Sequence, residues 1–207
     1  MTQAARVAVL DYGIGNLRSA QKALEKVGAD AVLTSDAREV SAADAVVLPG
    51  VGAFGACMDA LRTSGLEPVV HDAVASGVPF LGICVGMQML FDSSDENPDA
   101  RGLGVIGGTV KWIPPNVPRP QMQWNQLNIE AEEELFRGLG AAPWMYFVHS
   151  LHGVPDDAGQ VVATVEYGTR LNVAFRKDNV FATQFHPEKS ATAGLGLLGN
   201  FVRSAER

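Results

Sequence analysis

The chain has 207 residues, 47% apolar and 19% charged, enough to bury one large core, and a single domain over 1–207 is the simplest expectation. Its net charge of −7 argues against a nucleic-acid partner, which selects a basic stripe, and no apolar run reaches the roughly 20 residues that span a bilayer. Two cysteines, Cys57 and Cys84, are too few for a disulfide scaffold, and the opening Met1-Thr2-Gln3-Ala4-Ala5-Arg6 lacks a signal-peptide pattern, so a reducing, cytoplasmic setting is expected.

The first half alternates short apolar runs with helix-like stretches. Arg6 to Leu10 reads as a buried strand. Asn16 can cap an amphipathic helix that runs to about Val27 and ends at Gly28. Ala31 to Thr34 and Asp44 to Leu48 are the next strands, the second closed by Pro49-Gly50. Helices near Cys57 to Arg62 and Glu67 to Ala75 follow, then a strand over Pro79 to Ile83 and a helix over Val85 to Phe91. Such alternation predicts crossover units and a mostly parallel sheet covered by helices on both faces.

Beyond Asp92 the pattern changes. Asp92 to Arg101 is acidic and reads as a loop. Thr109 to Ile113, Gln126 to Ile129, Met145 to Val148, Val161 to Val165, Val173 to Phe175 and Val180 to Gln184 look like strands with few helices between them, which predicts hairpins and antiparallel additions. Asp178-Asn179 suits a hairpin turn. Ala191 to Ala205 is a final helix, weakened by Gly194, Gly196 and Gly199.

Gly82-Ile83-Cys84-Val85-Gly86 has the form of a nucleophile elbow with cysteine in place of serine. Small residues on either side let a strand and a helix cross closely, with Cys84 at the helix N-terminus. A free thiol has a pKa near 8.5, so only a few per cent is thiolate at neutral pH. The helix terminus contributes about 0.3–1 kcal/mol, less than the ~1.36 kcal/mol of one pKa unit. The site therefore needs a nearby base or cation. Cys57 has no such setting and reads as a buried structural residue.

Gln184-Phe185-His186-Pro187-Glu188 supplies one. In an extended segment residues two apart face the same side, so His186 and Glu188 can project together, the carboxylate holding one ring nitrogen and the other facing the thiol. His71, His149 and His152 lack such neighbours and read as structural. Acyl chemistry at a carboxamide also needs donors for a developing oxyanion, each worth about 2.7–4 kcal/mol. The N–H of Val85 is the natural first donor. Pro49-Gly50-Val51-Gly52-Ala53-Phe54-Gly55, one strand unit earlier, is placed to supply a second.

The elbow and the His-Pro-Glu segment together resemble the class I (triad) glutamine amidotransferases. Asp11-Tyr12-Gly13-Ile14-Gly15-Asn16, Leu48 to Gly55, Tyr146-Phe147-Val148-His149-Ser150 and His186-Pro187-Glu188-Lys189-Ser190 narrow the likeness to the glutaminase subunits of imidazole glycerol phosphate synthase, over about Val7 to Phe201. The resemblance implies a flavodoxin-like α/β fold with added antiparallel strands. It implies L-glutamine hydrolysis to glutamate and ammonia through a thioester on Cys84, with His186 and Glu188 completing the triad and the Val51 and Val85 amides as the oxyanion hole. It also implies that Gln88, Glu96 and Ser150 hold glutamine, that Gly52 lines its pocket, and that no metal or other cofactor takes part. The ammonia would pass to a cyclase subunit of (β/α)8 barrel type in histidine biosynthesis.

One stretch departs from that pattern. Pro120-Gln121-Met122-Gln123-Trp124-Asn125 carries Gln121 where the family has histidine and Gln123 where it has glycine. A glutamine at 123 is expected to put bulk into a tightly packed backbone, in a region that faces the cyclase in the family. Leu151 also stands where tyrosine is usual. These differences motivate an alternative, a triad glutaminase serving a different synthase. The Gly13-Ile14-Gly15 loop lacks the third glycine of a dinucleotide fingerprint, and by the resemblance it faces the partner.

Overall fold

A computed structural model describes residues 4–206. The elements run β1 (Arg6–Leu10), α1 (Leu17–Lys26), β2 (Asp30–Thr34), α2 (Ala37–Ser41), β3 (Ala45–Gly50), α3 (Phe54–Thr63), α4 (Glu67–Ala75), β4 (Phe80–Cys84), α5 (Val85–Met89) and β5 (Ser93–Ser94). There follow β6 (Gly108–Trp112), β7 (Gln121–Gln126), β8 (Asn128–Ile129), β9 (Trp144–His149), β10 (Leu151–Pro155), β11 (Val161–Glu166), β12 (Arg170–Lys177), β13 (Val180–Thr183) and α6 (Ala191–Ala205).

The central sheet has the order β2-β1-β3-β4-β13-β12-β11-β8. Neighbours are parallel from β2 to β13 and antiparallel from β13 to β8. This is the expected α/β architecture: parallel strands whose apolar side chains are buried, extended by antiparallel strands. Two small additions, β10-β6-β5 and the antiparallel pair β7-β9, lie outside it. β3 runs through Pro49 and Gly50 instead of stopping before them. Val46 donates to the carbonyl of Pro79, just before β4, so alternate residues, Pro49 among them, face β1. There the ladder has already ended at Val47, and the missing proline N–H breaks no bond.

The differences from expectation have local causes. Asn16 stands at the helix start without capping the backbone, and its Oδ1 accepts from Ser19 instead. α5 is shorter than expected because Leu103, Gly104 and Ile106 donate their N–H groups to the carbonyls of Met89, Phe91 and Leu90, which satisfies the helix end early. β10 escaped the sequence reading because His152 and Gly153 interrupt its apolar pattern. The glycines of α6 are accommodated by close packing: a Cβ on Gly194 would lie 1.9 Å from the Pro187 carbonyl oxygen. That helix can approach the 187–189 turn only through a residue without a side chain.

The same argument governs the elbow. A Cβ on Gly86 would lie 1.9 Å from the Leu48 carbonyl oxygen, and one on Gly50 would lie 2.5 Å from the Gly86 nitrogen. Backbone meets backbone here, so no rotamer change gives relief. Gly86→Ala is expected to lower stability by about 3 kcal/mol and to reduce the urea midpoint accordingly. A midpoint equal to that of the wild type would show that β3 and α5 can separate freely.

Candidate active site

Three adjacent parallel strands, β3, β4 and β13, end side by side, with Gly50 paired to Cys84 and Thr183 to Ile83. In open α/β sheets the crevice beyond such carboxyl ends is where ligands bind. Cys84 closes β4 and opens α5 with φ 55° and ψ −114°, a conformation that is costly for a residue with a side chain. This strain holds the thiol out at the bend, as the elbow pattern predicts.

His186 follows β13. Its N–H donates to the Tyr146 carbonyl at 3.1 Å, and its carbonyl accepts from Ser190 Oγ at 2.6 Å. Pro187–Lys189 then form a single 3-10 turn, which brings Glu188 Oε1 to 2.7 Å from His186 Nδ1. The pairing therefore arises from a tight turn rather than from two residues on one face of an extended segment. The reason is local: the Lys189 N–H bonds back to the His186 carbonyl, and the Ser190 N–H to that of Pro187. Both side chains are about 3% exposed.

Burial pushes the imidazole pKa of His186 down, but hydrogen bonding and attraction to Cys84 and Glu188 outweigh it and bring it up to about 9. The ring thus links sulfur to carboxylate and carries a proton at neutral pH. Gln184, buried beneath the site, donates from Nε2 toward Cys84 Sγ at 3.8 Å and accepts from Gln88 Nε2 at 2.9 Å. With its amide nitrogen engaged there, Gln88 retains its carbonyl oxygen for other partners.

Beside these groups lies a cavity of about 290 Å³ lined by Val51, Gly52, Cys84, Val85, Gln88, Glu96, Ser150 and His186. Every expected site residue except Glu188 therefore faces one space, and Glu188 stands behind His186. Glu96 Oε2 accepts from the Phe54 N–H at 2.7 Å, and Asn97 Oδ1 from the Gly55 N–H at 3.0 Å. The loop after β5 thereby satisfies the start of α3, whose free N–H groups favour an acidic partner.

His149 and Lys189 also line the cavity, and the sequence reading assigned neither to it. Burial lowers the His149 pKa to about 4, so the ring is neutral at physiological pH. Its Nδ1 lies 2.6 Å from the Leu151 carbonyl and its Nε2 2.8 Å from the Gln121 side chain. Gln121 is thus a buried partner of His149, a role its amide fills where the family has histidine. Gln123 is exposed, so the expected crowding at that position does not arise. Membership of the Tyr146–Ser150 motif is the available signal for His149, and proximity to His186 the signal for Gln184 and Lys189.

Among the described residues no group of three His, Cys, Asp or Glu side chains is arranged to hold a metal ion, and no helix is long and apolar enough to cross a membrane.

The chain is similar to known proteins over nearly its whole length. The chain is 48% identical over 201 residues to the imidazole glycerol phosphate synthase subunit HisH of Salinibacter ruber, covering 94% of this chain and 92% of that one. It is 47% identical over 203 residues to the HisH subunit of Aquifex aeolicus, covering 98% of both. Among solved structures, a glutamine amidotransferase is similar at a TM-score of 0.76 and 25% identity, over 96% of this chain and 98% of that one. PurLQS from Thermotoga maritima shares the fold at a TM-score of 0.74 and 21% identity, over 98% of this chain and 97% of that one. The family model for class-I glutamine amidotransferases matches residues 8–205. With that match and these relatives over nearly its whole length, the chain belongs to the class-I glutamine amidotransferases, in the branch of the HisH subunits.

Proposed function

We propose that this chain is the glutaminase subunit of an imidazole glycerol phosphate synthase, hydrolysing L-glutamine and passing ammonia to a cyclase subunit of (β/α)8 barrel type in histidine biosynthesis. The observation that carries the reading is the buried His186 ring, joined to Cys84 and Glu188 at the edge of a cavity that contains both acidic and basic side chains. Cys84 Sγ attacks the side-chain amide carbon of glutamine. The Val85 and Val51 N–H groups receive the developing oxyanion. Protonated His186 gives its proton to the departing ammonia, and Glu188 keeps the ring oriented. Water, activated by the now neutral His186, then attacks the thioester; the ring regains its proton from that water, the sulfur leaves as thiolate, and glutamate is released.

The remaining cavity groups suit an amino-acid substrate. Glu96 offers a negative charge for its ammonium group, and Gln88 and Ser150 offer neutral hydrogen-bonding groups, with Gly52 leaving room at the wall. Lys189 adds a cation suited to a carboxylate. The chain acts as a single domain in the cytoplasm. Its described buried apolar residues, from Ala5 to Val202, belong to one cluster.

The cyclase docks on the outer face of β7 and β9. Met122, Trp124 and Trp144 are 65%, 43% and 52% exposed, and the Trp124 and Tyr146 rings pack edge to face at 6.0 Å. Pro120, at the foot of β7, also lines the cavity, so a partner seated there lies near the point where ammonia is released. Because ammonia released without a cyclase wastes glutamine, turnover by the chain alone is expected to be low. Glutamate formation should be assayed with and without the HisF cyclase and its phosphorylated ligand. A large rise with the loaded cyclase is expected; rapid turnover unchanged by it would contradict the reading.

A further inference from the structure

We propose that Tyr12 and Cys57 are paired positioning residues that fix the backbone at the end of β3 and just beyond it, and so the Val51 amide, for the acyl chemistry at Cys84. The proposal rests on the glutaminase reading above. Beyond β3 the chain has little of its own to hold it: Gly52, at φ 95° with nothing within 4 Å of a Cβ built there, contributes no side chain and permits many backbone conformations. The restraint comes from two neighbouring elements. Tyr12, just beyond β1, donates its hydroxyl to the Pro49 carbonyl at 2.7 Å. Cys57, on α3, donates its thiol to the Val51 carbonyl at 3.3 Å.

The two side chains are buried and interact with each other. The Tyr12 hydroxyl also reaches Met89 Sδ at 3.7 Å and lies 3.0 Å from the point a Gly50 Cβ would occupy. It is therefore packed directly against the backbone at the end of β3. Burial pushes the phenol and the Cys57 thiol up, so both keep the proton they donate.

The geometry of the peptide links these bonds to the cavity. Arg119-Pro120 is the one cis peptide among the described residues, so the 49–50 and 51–52 peptides are trans, with C=O and N–H opposed. These two held peptides flank the 50–51 peptide that carries the Val51 N–H, so pinning both of its neighbours limits how that N–H can turn, and Val51 lines the cavity. An oxyanion donor that is out of place costs about 10²–10³ in kcat, so small freedoms in this loop have large consequences for turnover.

The test uses the full chain with its cyclase and the variants Tyr12→Phe, Cys57→Ala and Cys57→Ser. Three quantities are read: kcat, KM for glutamine, and the rate at which iodoacetamide alkylates Cys84. Alkylation needs the thiolate but builds no oxyanion. Tyr12→Phe and Cys57→Ala are each expected to lower kcat about 10-fold to 100-fold, with KM and alkylation close to wild type. Cys57→Ser, which restores a donor, should lie nearer wild type than Cys57→Ala. Wild-type kcat in both donor-less variants would overturn the proposal. So would an alkylation rate that falls in step with kcat, since the defect would then lie at the sulfur, and so would a serine variant as slow as the alanine one. If the wild-type complex itself did not hydrolyse glutamine, the glutaminase reading would fall; an active wild type with unaffected variants sinks the positioning role alone.

Discussion

Replacing Cys84 with alanine is expected to reduce glutamine hydrolysis by about 10⁵-fold or more while leaving the fold intact. Without the sulfur no thioester can form, and the remaining donors can only position water, which recovers a small part of the rate. The same residue makes a second, opposite prediction about stability. At φ 55° and ψ −114° a side chain costs about 1–3 kcal/mol. Glycine accepts that conformation, but its greater freedom in the unfolded chain costs about 0.5–1 kcal/mol. The strain term wins over most of that range. Cys84→Gly should therefore be equally inactive yet more stable than Cys84→Ala by about 1 kcal/mol. Urea denaturation of the two variants measures the difference directly. A glycine variant no more stable than the alanine one would mean that the bend stores no strain, and an active alanine variant would remove Cys84 from the chemistry.

Glu188→Gln should lower kcat by about 10²–10⁴ and shift the pH profile. His186 has its pKa raised from 6.5 to about 9 by Cys84 and Glu188 against the opposing effect of burial. Its proton is available to the leaving ammonia below that value, so the wild-type kcat is expected to fall on the alkaline side near pH 9. An amide at 188 keeps the shape but not the charge, and the alkaline limb should move down toward 6.5. Stability follows the same sign. A group whose folded pKa is raised contributes fully below its unfolded value and loses that contribution as pH climbs from about 6.5 to about 9. The wild type should thus lose stability over that window and the variant should lose less. Identical pH profiles for the two proteins would exclude Glu188 as the orienting group.

The two predictions rest on residues that were legible for different reasons. Cys84 stands out locally, because glycines two before and two after it serve the crossing of one strand over one helix, and that geometry is short-range. The His-Pro-Glu segment is also local, and its composition announced the right pair. A tight turn joins the pair where the sequence suggests an extended segment, because the bonds that close the turn leave no mark on apolar periodicity. Glu96 carries no local signal beyond a carboxylate in a loop; its place came from the family resemblance, and its bond to the start of α3 belongs to the folded chain.

From the sequence by itself came the alternating α/β first half, the strand-rich second half, the candidate nucleophile and base, and the glycine loop beside them. These depend on contacts between near neighbours, which periodicity and turn chemistry encode directly. The tertiary structure alone decided that β13 lies against β4, that Gln184 reaches the sulfur, that Gln121 partners His149, and that Tyr12 and Cys57 donate to the Pro49 and Val51 carbonyls. Each of these joins parts of the molecule carried by different elements. Such pairings are set by sheet order and by how backbones close on one another where glycine permits, and no single stretch of residues records them.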